Sequence, residues 1–109
     1  MTDLTKKKCV PCSEGADPLT EEEIKELLPR IHDEWKVVDN KQIERVFRFK
    51  DFQQALNFTN QVGAIAEEEG HHPVLITSWG RVLVRLYTHV IDGLHENDFI
   101  VAAKVDEIA

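Results

Sequence analysis

The chain predicts an α+β fold, in which a four-stranded antiparallel sheet carries three helices on one face in the order αββαββα. Three observations lead there. Apolar residues recur at helical spacing in three separate stretches. Two pairs of alternating runs flank short turns, as hairpins do. The helical stretches are set off by capping and stop residues. Two hairpins with three amphipathic helices are satisfied by helices covering one side of an antiparallel sheet.

The first helix starts at Thr20, because Thr20 and Glu23 form a capping box, with Leu19 and Ile24 at the staple positions around it. Ile24, Leu27, Leu28 and Ile31 form its apolar face, and Pro29, lacking an N–H, ends or kinks it. Trp35 to Val38 and Gln42 to Phe49 read as strands around Asp39-Asn40-Lys41. Ile43, Phe47 and Phe49 share one face, and Arg45 interrupts it without a reason visible in the sequence. Asp51 caps the second helix, whose stripe is Phe52, Ala55, Leu56, Thr59, Val62 and Ala66. Gly70 and Pro73 stop it. Val74 to Ser78 and Val82 to His89 form the second hairpin, turning at Ser78-Trp79-Gly80-Arg81. Its last strand puts Val82, Val84 and Leu86 inward, with Leu83 and Tyr87 outward where they would suit an interface. Gly93 permits a bend, and a third helix begins near Glu96, with Phe99, Ala102, Ala103 and Asp106 along one side and Val101, Val105 and Ile108 along another.

With 109 residues the chain can bury one core, expected over residues 19–109, behind a flexible arm at residues 1–18. A net charge of −7 argues against nucleic acid as a partner, because non-specific binding there rests on Lys and Arg neutralising phosphates. No apolar run approaches the ~20 residues of a membrane span, and no apolar stretch follows the basic cluster Lys6-Lys7-Lys8, so the cytoplasm is the expected compartment. Cys9 and Cys12 form a CxxC unit in the arm with no second pair to complete a zinc site, and they read as tail cysteines.

The residues that carry chemistry are His71, His72 and His89. All three stand at element ends, where catalytic groups concentrate. Imidazole titrates nearest neutral pH, so paired histidines can supply an acid and a base together. Pro73 biases His72 toward an extended backbone and splays the adjacent rings. Glu67, four residues before His71, is placed to orient that imidazole. The residues alone leave two further readings open: a three-histidine zinc site, and polar surface.

The run Glu67-Glu68-Glu69-Gly70-His71-His72-Pro73, then Trp79, Thr88-His89, Gly93-Leu94 and Asp98, resembles the signature of the pterin-4a-carbinolamine dehydratases. The resemblance covers roughly residues 18 to 109, and the family's fold has the order derived above. One departure is His95, where such proteins commonly carry a Ser or Thr cap; it implies a weaker start to the last helix, and His95 reads as surface. The resemblance implies dehydration of a 4a-hydroxytetrahydropterin to the quinonoid dihydropterin, without cofactor or metal. His71 and His89 would be acid and base on opposite sides of the ring, and His72 would bind the pterin and share proton transfer. Glu67, Pro73, Trp79 and Asp98 would orient these groups or wall the site, although an acid at the position of Asp98 also caps a helix. The implied partners are the pterin, an aromatic amino acid hydroxylase pathway that produces it, and further copies of the chain in a homodimer or homotetramer. The alternative is a non-catalytic binding, assembly or dimerisation protein on the same fold.

Overall fold

The structure, a computed structural model, describes residues 3–10 and 16–109, so the expectations for Pro11, Cys12 and Gly15 lie outside it. Thr20 accepts from the Glu23 amide and Glu23 accepts from the Thr20 amide, which starts α1 (Glu21–Leu27) where the capping box predicts. Pro29 cannot continue α-helical bonding, and the chain tightens into a 3-10 turn over Leu28–Arg30. Strands β1 (Lys36–Val38) and β2 (Gln42–Arg48) then form a hairpin. Asp39 and Asn40 take φ of 53° and 56°, a conformation that short polar side chains tolerate and that matches strand twist.

Asp51 accepts from the Gln54 amide at 2.8 Å and opens α2 (Phe52–Glu69). The buried positions of α2 are Ala55, Phe58, Val62 and Ala66. Phe52 and Leu56, expected inside, are exposed, and Phe58 takes the inner place. It packs on Phe47 and Phe49 of the neighbouring chain segment, with ring centroids 4.6 and 5.1 Å away. Strands β3 (Val74–Ser78) and β4 (Arg81–Leu86) form the second hairpin. Its turn requires Gly80, at φ 67°, where an added Cβ would lie 2.9 Å from the Phe49 carbonyl oxygen. The strand order is β1-β2-β4-β3, antiparallel throughout, with Ile43 opposite Leu86 and Phe47 opposite Val82. These residues face the helices. The opposite face carries a row formed by Val46, Leu83 and Ile76. β1 reaches only as far as Glu44 along β2, leaving the edge beyond it uncovered.

The last helix, α3 (Glu96–Ile108), is buried from Asn97 to Ala103 without a break. A helix buried all round needs cover on more than its sheet side. α2 supplies part of that cover, and the N-terminal segment supplies more: a 3-10 turn at Leu4–Lys6 packs on α3 with Leu4 in the core. The flexible arm expected from composition is therefore docked over residues 3–10. Its charged sequence of little periodicity hid an anchoring leucine and bonds made by its backbone.

Arg45 is accounted for at the far end of α3. Its guanidinium reaches Asp106 at 2.7 Å and lies 4.3 Å from the Phe47 ring centroid. Asp106 also accepts from the Trp35 indole at 2.8 Å and from the His32 amide at 2.9 Å. The charge on the inner sheet face is thus matched by a carboxylate that ties β2, the α1–β1 connection and α3 together. Asp106→Ala leaves three donors without their acceptor and is expected to cost about 2–3 kcal/mol in urea unfolding. An unchanged midpoint would show that the cluster is solvated.

Candidate active site

Gly70 ends α2 at φ 65°, a left-handed position natural for glycine, and its amide bonds back to the Ala66 carbonyl. The chain leaves the helix there as His71-His72-Pro73 and enters β3 at once. The two rings part company. The Nε2 atom of His71 lies 2.5 Å from Asp98 Oδ1, and that of His72 lies 3.1 Å from Glu67 Oε1. Glu67 therefore pairs with His72, correcting the expectation that it orients His71. Gly70 breaks the helix before His71, so one-turn spacing no longer applies to that residue.

Asp98 is the centre of the arrangement. Its side chain is 0% exposed, yet three donors converge on it. Oδ2 accepts from the Thr88 hydroxyl at 2.9 Å and from the His95 amide at 3.0 Å, while Oδ1 faces His71. With the carboxylate as acceptor, the hydrogen of that ring lies on Nε2. His95 Nδ1 accepts from the Asn97 amide at 3.0 Å and caps α3, in the role expected of Ser or Thr. Its reading as surface is thereby corrected.

His89 does not close β4, which ends at Leu86; it opens a 3-10 turn, His89–Ile91. That turn sits in a loop whose neck is closed by Thr88 and Gly93, the Thr88 amide bonding the Gly93 carbonyl at 2.8 Å. The neck residue is the one held by Asp98. One carboxylate thus links the α2 exit that carries His71 and His72 to the loop that carries His89. His89 and His72 are exposed, and His71 is mostly covered, at 12%. Pro73 is half-buried at the start of β3.

Trp79 does not join this cluster within one chain. It stands 72% exposed at the opposite end of the β3–β4 hairpin. A hollow of about 560 Å³ lined by Glu34, Arg45, Phe47 and Phe49 also lies on other residues than the histidines. Among the described residues no group of three His, Cys, Asp or Glu side chains is spaced to hold a metal ion. Among the described residues, too, no helix is long and apolar enough to cross a membrane.

Two residues beside the site were missed from sequence. Thr88 carries no spacing signal, because its bond to Asp98 spans a loop. The sequence assigns Glu69 no role of its own in the run Glu67-Glu68-Glu69, but its side chain is 2% exposed. It accepts from Lys104 Nζ at 2.5 Å and from the Cys9 amide at 2.9 Å. Burial pushes its carboxyl up, but those two bonds, with the charges of Lys104 and Lys8, outweigh burial and hold it below the ordinary 4.5.

Comparison with known proteins finds relatives along nearly the whole chain. The sequence pattern of the family described as "Pterin 4 alpha carbinolamine dehydratase" matches residues 17–108. A protein of Alkaliphilus metalliredigens named "Putative pterin-4-alpha-carbinolamine dehydratase" is 52% identical over 98% of this chain and 96% of its own. One of Chlorobaculum tepidum with the same name is 50% identical over 99% of each. The crystal structure of a "transcriptional coactivator/pterin dehydratase" from Brucella melitensis superposes with a TM-score of 0.78 at 40% identity, covering 85% of this chain and 99% of that one. A "pterin dehydratase-like protein", described as a RuBisCO assembly factor in the alpha-carboxysome, superposes with a TM-score of 0.60 at 25% identity, over 72% of this chain and 92% of that one.

The buried carboxylate and the buried glutamate make separate predictions. Asp98→Asn places an amide NH₂ against donors and is expected to cost about 3–5 kcal/mol in chemical denaturation, against about 1 kcal/mol for Thr88→Val; equal losses would refute the ranking. The lowered carboxyl of Glu69 contributes stability in full above 4.5, and that contribution is lost as pH falls through its folded value. Glu69→Gln should therefore melt below the parent at neutral pH, with the gap narrowing on acidification below 4.5; a gap constant with pH would contradict the assignment.

Proposed function

Because the chain belongs to the pterin 4 alpha carbinolamine dehydratase family, we propose that it eliminates water from a 4a-hydroxytetrahydropterin by histidine acid–base catalysis. The observation that carries this reading is the Asp98 carboxylate, which holds His71 and the neck of the His89 loop in one place.

The chemistry is balanced without electron transfer. The N5 lone pair forms the N5–C4a double bond as the C4a–oxygen bond breaks. An imidazolium gives its proton to the departing hydroxyl, which leaves as water, and a neutral imidazole takes the proton from N5. The quinonoid dihydropterin results. His71 and His89 form this acid–base pair, with Nδ1 of His71 exchanging the proton while Nε2 stays bonded to Asp98. The exposed pair His72–Glu67 binds the pterin, whose heteroatoms both side chains can meet. A hydroxylase that forms the 4a-adduct during aromatic amino acid oxidation supplies the substrate. The acting species is a homodimer or homotetramer, favoured by the uncovered β2 edge and by the outer row of Val46, Leu83 and Ile76.

A second reading, a non-catalytic assembly protein, has one observation in its favour. The structural neighbour at 25% identity is described as an assembly factor. Freshly generated 4a-hydroxytetrahydropterin separates the two readings. The parent is expected to accelerate the ultraviolet change of dehydration, and His71→Ala or His89→Ala to lower kcat/KM by about 10²–10⁴-fold. A parent no faster than buffer would discard the enzymatic reading.

A further inference from the structure

The arm touches the two elements that meet at the site, and it touches each of them one or two residues from the pair that defines it. On α2 the Cys9 amide donates to Glu69 Oε1 at 2.9 Å, two residues before His71. On α3 the Val10 amide donates to Asn97 Oδ1 at 3.0 Å, and Asn97 Nδ2 returns a bond to the Val10 carbonyl at 2.7 Å. Asn97 is 2% exposed and directly precedes Asp98. The Cys9 thiol lies 3.6 Å from the Asn97 carbonyl oxygen, and Lys7 Nζ holds Glu96 at 3.1 Å. Glu69 uses its other oxygen for Lys104 of α3, so it joins the arm, the end of α2 and the body of α3 at one point.

From this juxtaposition we propose that Lys7–Val10 is a positioning segment that fixes the end of α2 against the start of α3, and so sets the His71–Asp98 geometry on which the proposed dehydration rests. His71 follows a glycine and belongs to no regular element; its amide is tied to the Ala66 carbonyl at 3.2 Å, so it moves with the end of α2, and its ring is held by Asp98. Asp98 in turn sits in the first turn of α3, whose outer side is covered by the arm. A shift of about 1 Å in a catalytic group can cost on the order of 10²-fold in rate, so restraint at these neighbouring residues has a catalytic consequence. The segment touches no reacting atom and acts only through the elements it joins.

Burial and the neighbouring Glu69 carboxylate push the Cys9 thiol up to about 12, so it is a slow nucleophile while the arm is docked and reports its release. In a full-length Cys12→Ser background, Asn97→Leu removes both Val10 bonds, and Leu4→Glu undocks the arm from its remote end. Three readouts are followed: Cys9 alkylation by iodoacetamide, the downfield NMR signal of the His71 Nε2 proton, and kcat against KM. Alkylation is expected to rise at least about tenfold, the His71 proton to move upfield or vanish, and kcat to fall about tenfold or more with KM nearly unchanged. Faster alkylation in both variants with the His71 signal and kcat of the parent would overturn the proposal, as would alkylation as slow as in the parent. Should Asn97→Leu fail to fold, Leu4→Glu alone decides by the same readouts. If the parent itself shows no dehydration, the functional reading fails, while the His71 signal still decides on positioning.

Discussion

The Asp98 carboxylate is the point on which the site depends. A charge removed from water is costly unless hydrogen bonds replace the lost solvation. Here the replacements come from three parts of the chain: the His95 amide at the start of α3, the Thr88 hydroxyl at a loop neck, and the ring of His71 after α2. Thr88 and His95 flank one loop, and His71 lies 17 residues before Thr88. Because the carboxylate must satisfy its desolvation, these segments are drawn to one location. The same residue begins a helix, pins a loop and selects the tautomer of an imidazole.

Around that centre, charge is placed inside the protein with its counterpart. Arg45 would be a fault on an apolar strand face, but Asp106 answers it and also gathers Trp35 and His32. Glu69 would be a fault under the arm without Lys104. Both pairs involve α3, which explains how one helix with apolar residues on nearly every side can still be oriented uniquely. Apolar contact fixes that it is buried, and the ion pairs of Lys104 and Asp106 in its C-terminal half, with Asp98 bonded near its start, fix its rotation and height.

Much of this architecture is legible in the residue order, for identifiable reasons. The Thr20–Glu23 capping box, Asp51, Pro29 and the helix-ending Gly70 are local signals, read within four residues of where they act. Strand alternation is local too, and it places Ile43 and Phe47 inside as observed. The three histidines were found by residue type and by a spaced pattern. What escaped is long-range. Phe58 replaced Phe52 in the core because α2 meets the sheet along a line set by the Phe47 and Phe49 rings. Glu67 went to His72 because a helix end resets the spacing rule. Trp79 keeps its place in the pattern yet sits at the far end of a hairpin, where sequence proximity no longer means spatial proximity. The docked arm escaped because its bonds to Glu69 and Asn97 are made by its peptide groups.

That last property has a consequence for how the N-terminus can diverge. At positions 9 and 10 the donors and the acceptor of the bonds to Glu69 and Asn97 belong to the main chain, and every amino acid except proline carries them all. A replacement at the exposed Val10 leaves these bonds in place, while inserting or deleting a single residue between Leu4 and Val10 moves each group out of register with its partner. The spacing from the core-anchored Leu4 to these peptide groups is thus under tighter constraint than the side chain at position 10.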